Sequence, residues 1–184
     1  SPVKVTKLAD QKWVYNLGRN IAGISRISVK GEKGTEIRLK HGERLKTDGS
    51  VDQSNIDVHY RPTDDKDPFQ TDIYILNGDG VETFWPHLNY KGFQYVEVTS
   101  NKPIEIQGLT GIFMHSDVPP VGNLNSSNEV LNKIWKATNV SYLSNLYGYP
   151  TDCPQREKNG WTGDAHLAMD QAMRLPFKVS TTTS

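Results

Sequence analysis

The chain has 184 residues, of which 35% are hydrophobic and 23% charged. Twenty-one basic residues balance twenty-one acidic ones, so net charge gives no drive toward nucleic acid or an anionic membrane. No window approaches the ~18 consecutive apolar residues of a transmembrane span, and a single cysteine, Cys153, excludes an internal disulfide framework.

At ~150 residues per domain, the length predicts one domain, or one and a part. The start, Ser1-Pro2, has neither a Met nor a charged-then-apolar leader, so more chain is expected upstream. Nothing here assigns a compartment or an oligomeric state.

The first two thirds read as strands and turns. Lys12 to Leu17 is apolar and aromatic and stops at Gly18, and Ile24 to Val29 follows. After Gly31-Glu32-Lys33-Gly34, Thr35, Ile37 and Leu39 alternate with Glu36, Arg38 and Lys40. Period two marks a strand with one buried face, and the short Gly-bounded turn predicts a hairpin between these two runs. Turn signals recur at Asp48-Gly49, Asn77-Gly78 and Asp79-Gly80. Between and after them lie strand candidates at 72–76, 81–85, 93–99 and 104–114. The fold class expected for residues 1–115 is therefore mainly β, an antiparallel β-sandwich. The polar stretch 52–68, rich in Asp and Pro, reads as a long exposed loop.

The character changes at Ser116-Asp117-Val118-Pro119-Pro120, where paired prolines predict a rigid connector over 116–125. Ser126-Ser127-Asn128-Glu129 fits a capping box with Ser126 as N-cap. Leu131, Ile134, Trp135, Thr138 and Tyr142 then recur at helical spacing. A second helix is expected from about Asp164, with Asp164 at its cap and Pro176 ending it. Residues 126–177 thus form a short helical segment around a loop, and 178–184 a polar tail. Two short amphipathic helices cannot bury their own apolar faces.

The densest polar cluster, Asp152-Cys153-Pro154-Gln155-Arg156-Glu157-Lys158-Asn159-Gly160-Trp161-Thr162-Gly163-Asp164, lies between those helices. Carboxylates accept hydrogen bonds from sugar hydroxyls, an aromatic face covers the apolar face of a pyranose, and one carboxyl can act as an acid. By residue type alone the alternatives stay open. A loop glutamate such as Glu157 is more often a solvated charge, Asp152 and Asp164 suit turn and cap positions, Trp161 suits a core anchor, and Cys153 suits a small buried residue. His41, His59, His87, His115 and His166 show no metal-ligand spacing, so no metal or other cofactor is expected. His166 reads as a helix-surface residue.

Residues 152–164 closely resemble the signature of bacterial α-L-rhamnosidases, an inverting glycoside hydrolase family. Tyr15 to Gly23, Tyr90 to Val98 and His115 to Gly122 resemble further motifs of that family, in the same order. The resemblance implies a β-sandwich followed by the start of an (α/α)6 barrel. It implies a rhamnose-containing glycoside as substrate, with no nucleic acid or membrane partner. It makes Glu157 the general acid, and Asp152, Arg156, Trp161 and Asp164 the substrate-binding residues. Inversion needs a second carboxylate ~6.5–9.5 Å from the acid, and in the family that base lies far downstream. A barrel of twelve helices at about 11–12 residues each, plus loops, would need on the order of 300 more residues. The chain is therefore expected to be an N-terminal piece of such an enzyme, inactive alone. A carbohydrate-binding sandwich and a purely structural sandwich are the competing readings, since fold alone assigns no ligand.

Overall fold

The computed structural model describes residues 1–56, 69–118 and 122–174. They fall into two compact units. One holds Ser1–Met114 together with Pro154–Glu157, and the other holds His115–Cys153 and the chain from Lys158 onward.

The first unit is an antiparallel β-sandwich built on β2 (Lys12–Gly31), which runs unbroken for 20 residues. Its first half lies between β1 (Lys4–Ala9) and β8 (Lys91–Ser100). Beyond β8 the sheet continues through β3 (Glu36–Gly42) to β6 (Thr71–Ile75). Its second half pairs instead with β9 (Ile104–Phe113) and β7 (Val81–Phe84). One strand therefore serves both layers. A small hairpin, β4 (Arg44–Leu45) with β5 (Val51–Asp52), stands apart from this sheet.

The handover happens at Gly23, which pairs with Lys91 of β8 and with Phe113 of β9. A Cβ at Gly23 would stand 1.9 Å from the Ile112 carbonyl oxygen, so only glycine lets the incoming strand close. The core lies between the layers. Ile27 and Val29 of β2, Ile37 and Leu39 of β3, and Phe93, Val96 and Val98 of β8 are all fully buried in one cluster. The alternation read in 35–40 is thus real, with Ile37 and Leu39 inward.

Three expectations change. The hairpin between β2 and β3 does not exist, because β3 pairs with β6 and β8. The turn at 31–34 instead carries the chain from one layer to the other, closed by Thr35 N to Glu32 O at 3.1 Å and Gly34 N to Leu76 O at 2.8 Å. Lys12–Leu17 and Ile24–Val29 are one strand, not two. The stretch 52–68 does not begin as an exposed loop, because Gln53 and Ile56 are buried, and 57–68 lie outside the described residues. The turn glycines Gly49, Gly78 and Gly80 do take positive φ.

In the second unit, α1 spans Glu129–Ser144 and α2 spans Thr162–Arg174. Between them a tight hairpin, β10 (Leu146–Tyr147) and β11 (Tyr149–Pro150), reverses the chain at Gly148. The start of the connector is tied to this hairpin by Ser116 N to Leu146 O at 2.7 Å and Gly148 N to Ser116 Oγ at 2.9 Å. The N-cap of α1 is Asn128, not Ser126, and its side chain accepts from Val130 N at 2.9 Å. Ser126 is bound one step further out. Its Oγ accepts from Asn128 N, and its own backbone N–H and carbonyl are both held by the Asn132 side chain. Asp164 is not a cap either. It sits in the first turn of α2, whose first backbone bond runs from Ala165 N to Trp161 O at 3.0 Å. A carboxylate there still complements the helix dipole. Pro176 and the tail 178–184 lie outside the described residues.

Candidate sugar-binding cleft

Within the second unit, α1, β11 and the start of α2 enclose a cleft of about 470 Å³. Thr138, Ser141, Tyr142 and Asn145 line it from the α1 side, Pro150, Thr151 and Asp152 from the end of the hairpin and the chain just after it, and Trp161, Asp164 and Ala165 from the start of α2 and the residue before it. The spacing explains the α1 wall, because positions three and four apart share one helix face. Thr138 and Tyr142 belong to the helical stripe legible in the sequence. Ser141 and Asn145 are polar members of the same wall, which an apolar pattern could not single out.

The cleft gathers three of the five expected site residues: Asp152, Trp161 and Asp164. Thr151 is buried at its base, where its N–H donates to Asn145 O at 2.7 Å. Asp152 closes the signature loop. Asp152 N donates to Asn159 O at 3.0 Å, and Asn159 N donates back to Asp152 Oδ1 at 2.9 Å. The Cys153 thiol donates to Asp152 Oδ2 at 3.1 Å. Burial pushes the Asp152 carboxyl up, but the hydrogen bonds from Cys153 and Asn159 outweigh it and hold the group below its ordinary value. Asp152 is therefore a carboxylate near neutral pH, able to accept from a sugar hydroxyl while it braces the loop.

Trp161 is about half exposed, with part of its indole open beside the cleft. His166 is exposed on α2, as read from the sequence. Arg156 and Glu157 belong to the stretch that packs with the sandwich. There the Arg156 Nη2 stands 3.3 Å from Glu157 Oε1, each side chain about one third exposed. The guanidinium thus points toward Glu157, an orientation that the sequence left open. Lys158, next in line, takes a left-handed φ of 55°, a sharp turn where the chain passes back to the second unit.

Residues 6–115 match the family described as the bacterial alpha-L-rhamnosidase concanavalin-like domain. The chain belongs to the bacterial α-L-rhamnosidases. Residues 119–182 match the bacterial alpha-L-rhamnosidase 6 hairpin glycosidase domain. An alpha-L-rhamnosidase of Streptomyces avermitilis is 35% identical over 167 residues, covering 89% of this chain and 15% of the relative. The solved α-L-rhamnosidase of Dictyoglumus thermophilum superposes with a TM-score of 0.80 at 35% identity, over 94% of this chain and 19% of that one. The Streptomyces avermitilis rhamnosidase solved in complex with L-rhamnose gives a TM-score of 0.78 at 34% identity, over 93% of this chain and 16% of that one. The chain spans 15–18% of the length of the curated α-L-rhamnosidases it matches.

Proposed function

We propose that this chain supplies the acid-donating and part of the sugar-binding machinery of an inverting α-L-rhamnosidase. The observation that carries the reading is the cleft in which Asp152, Trp161 and Asp164 converge with a polar helix face. Two carboxylates and an aromatic face around a cavity of that size are what a pyranose requires.

In this reading Asp152 and Asp164 accept from rhamnose hydroxyls, and Trp161 covers an apolar face of the ring. Glu157 protonates the glycosidic oxygen as the bond to the anomeric carbon breaks. A carboxylate outside this chain takes a proton from water, which attacks the opposite face of the sugar. Arg156 Nη2, 3.3 Å from Glu157 Oε1, orients that side chain through a partly exposed contact worth less than about 1 kcal/mol, weak enough to give way when the carboxyl takes up the proton it donates. The family's barrel supplies the remaining walls. The apolar residues that α1 and α2 leave exposed, among them Ile134 and Leu167, fit helices that others would cover.

The test is L-rhamnose inhibition of the whole enzyme that carries this sequence. Trp161→Ala and Asp164→Asn should each weaken it about tenfold or more, since a lost stacking face or charge-assisted hydrogen bond is worth about 1.4 kcal/mol or more. Unchanged inhibition in both variants would remove the cleft from the active site.

A further inference from the structure

The stretch that contains Glu157 is seated on the sandwich. Gly92, near the start of β8, lies against it so closely that an added Cβ would stand 2.8 Å from Gln155 Cβ, 2.9 Å from Gln155 N and 3.0 Å from Pro154 Cγ. Two of those three atoms belong to stiff parts of the chain, a backbone nitrogen and a proline ring, so neither can swing aside. Pro154 is itself buried.

Gly92 is held in turn from behind. The buried Gln70 side chain clasps both of its backbone groups, with Gly92 N donating to Oε1 at 3.0 Å and Nε2 donating to Gly92 O at 3.1 Å. Gln70 has a left-handed φ of 46°, and its carbonyl accepts from the His41 backbone N–H at 3.0 Å and from the His41 ring at 3.1 Å. The seat is thus built from a buried amide clasp, not from a flexible surface contact.

We propose that Gly92 and Gln70 are positioning residues for the acid step: they fix the height at which the Pro154–Glu157 stretch rides on β8, and hence where the Glu157 carboxyl stands. This rests on the reading of Glu157 as general acid. It gives the sandwich a part in the chemistry that its fold alone does not imply. The backbone of Gly92 needs no left-handed freedom, so Gly92→Ala acts through the contact with Gln155 and not through strain in its own φ.

The experiment measures kcat and KM of the whole enzyme on two substrates, methyl α-L-rhamnoside and 2,4-dinitrophenyl α-L-rhamnoside. The variants are Gly92→Ala, Glu157→Gln and the two combined. A misplaced acid loses rate where the leaving group needs its proton. Gly92→Ala should therefore lower kcat on the methyl glycoside by about tenfold or more, and on the dinitrophenyl glycoside by less than about threefold, with KM little changed. Added to Glu157→Gln, it should lower the rate on the methyl glycoside little further, because the two act on one event. Equal losses on both substrates, or losses that multiply in the double variant, would reduce Gly92 to a merely structural residue and overturn the proposal. If Glu157→Gln itself hits both substrates equally, the acid assignment falls and takes the proposal with it. Should Gly92→Ala not fold, Gln70→Met, which removes the clasp without adding bulk at the seat, is read by the same ratio.

Discussion

Ser25 Oγ and His41 Nε2 meet at 2.8 Å in the interior of the sandwich, and the ring's other nitrogen faces Gln70 O at 3.1 Å. A carbonyl only accepts, so Nδ1 carries the proton and Nε2 accepts from the Ser25 hydroxyl. The neutral imidazole is therefore satisfied at both ends. Burial, and then the nearby Lys91 ammonium, lower the His41 pKa from 6.5 to about 3, against a smaller opposing pull from Asp72.

That shift sets a pH dependence of stability. Between about 6.5 and about 3 the unfolded chain binds a proton at His41 and the folded chain does not. Stability is then fully present above the unfolded value and falls as pH drops toward the folded one, by at most ~1.4 kcal/mol per pH unit. Urea midpoints of the chain should decline between about pH 7 and about pH 5.5, a range above most carboxylate titrations. His41→Gln should flatten that decline. A wild-type midpoint constant across this range would contradict the assignment.

Lys91 and Asp72 form a second buried unit, Nζ to Oδ1 at 2.6 Å, with both side chains almost completely covered. Asn89 Oδ1 accepts a further hydrogen bond from Lys91 Nζ at 2.7 Å, while Asp72 Oδ2 is buried with no partner among the described residues. A half-satisfied carboxylate depends heavily on the one cation beside it. Lys91→Met should destabilise the sandwich by about 3–5 kcal/mol, whereas Lys91→Met with Asp72→Leu should recover most of the loss. Chemical denaturation of the three proteins checks this. A double variant as weak as the single one would show that packing, not charge, is at stake.

How far the sequence discloses this molecule depends on whether local or distant partners decide. The inward faces of Ile37 and Leu39, and the turns at Gly49, Gly78 and Gly80, follow from period two and from turn chemistry, which are local. The unbroken β2 does not, because Gly18 reads as a stop, and only the pairing with β8, which resumes at Ile21 beyond it, and then with β9 from Gly23 shows one strand. The false hairpin has the same origin, since four turn residues look alike whether they join neighbours or cross between layers. At the site, the sugar reading rests on the three carboxylates Asp152, Glu157 and Asp164 packed into one loop with Arg156, Trp161 and two glycines, all of them legible as residue types. The loop brace between Asp152 and Asn159 could not be read, because it rests on the geometry of a turn.

That brace is testable through Cys153. Asp152→Ala removes the acceptor for both the Cys153 thiol and Asn159 N. Hydrogen bonds to a charged group are worth about 1.5–3 kcal/mol each, so the loop should open more often. The reaction of Cys153, the only cysteine, with a disulfide reagent should accelerate several-fold. Glu157→Gln, elsewhere in the same loop, should leave that rate unchanged. Equal rates in wild type and Asp152→Ala would mean that the carboxylate does not hold the loop closed.

The helices carry the last expectation. Burial stabilises a helix chiefly through one apolar face, yet α1 has no buried residue, and Ile134 and Leu167 are 57% and 83% exposed. Apolar surface of this kind is a docking or association face. Residues 1–184 expressed alone should bind a hydrophobic dye such as ANS and associate at raised concentration. Ile134→Gln with Leu167→Gln should reduce both effects without touching the sandwich, whose core cluster includes neither residue. In the whole enzyme the same pair of changes should instead destabilise the protein, because there the proposed barrel helices would cover these side chains. Each buried isoleucine or leucine is worth about 1.5–3 kcal/mol of transfer, and a buried amide adds its own penalty. A pair of changes that is silent in the whole enzyme would mean that this face looks into solvent there too, and the fit to a barrel wall would be lost.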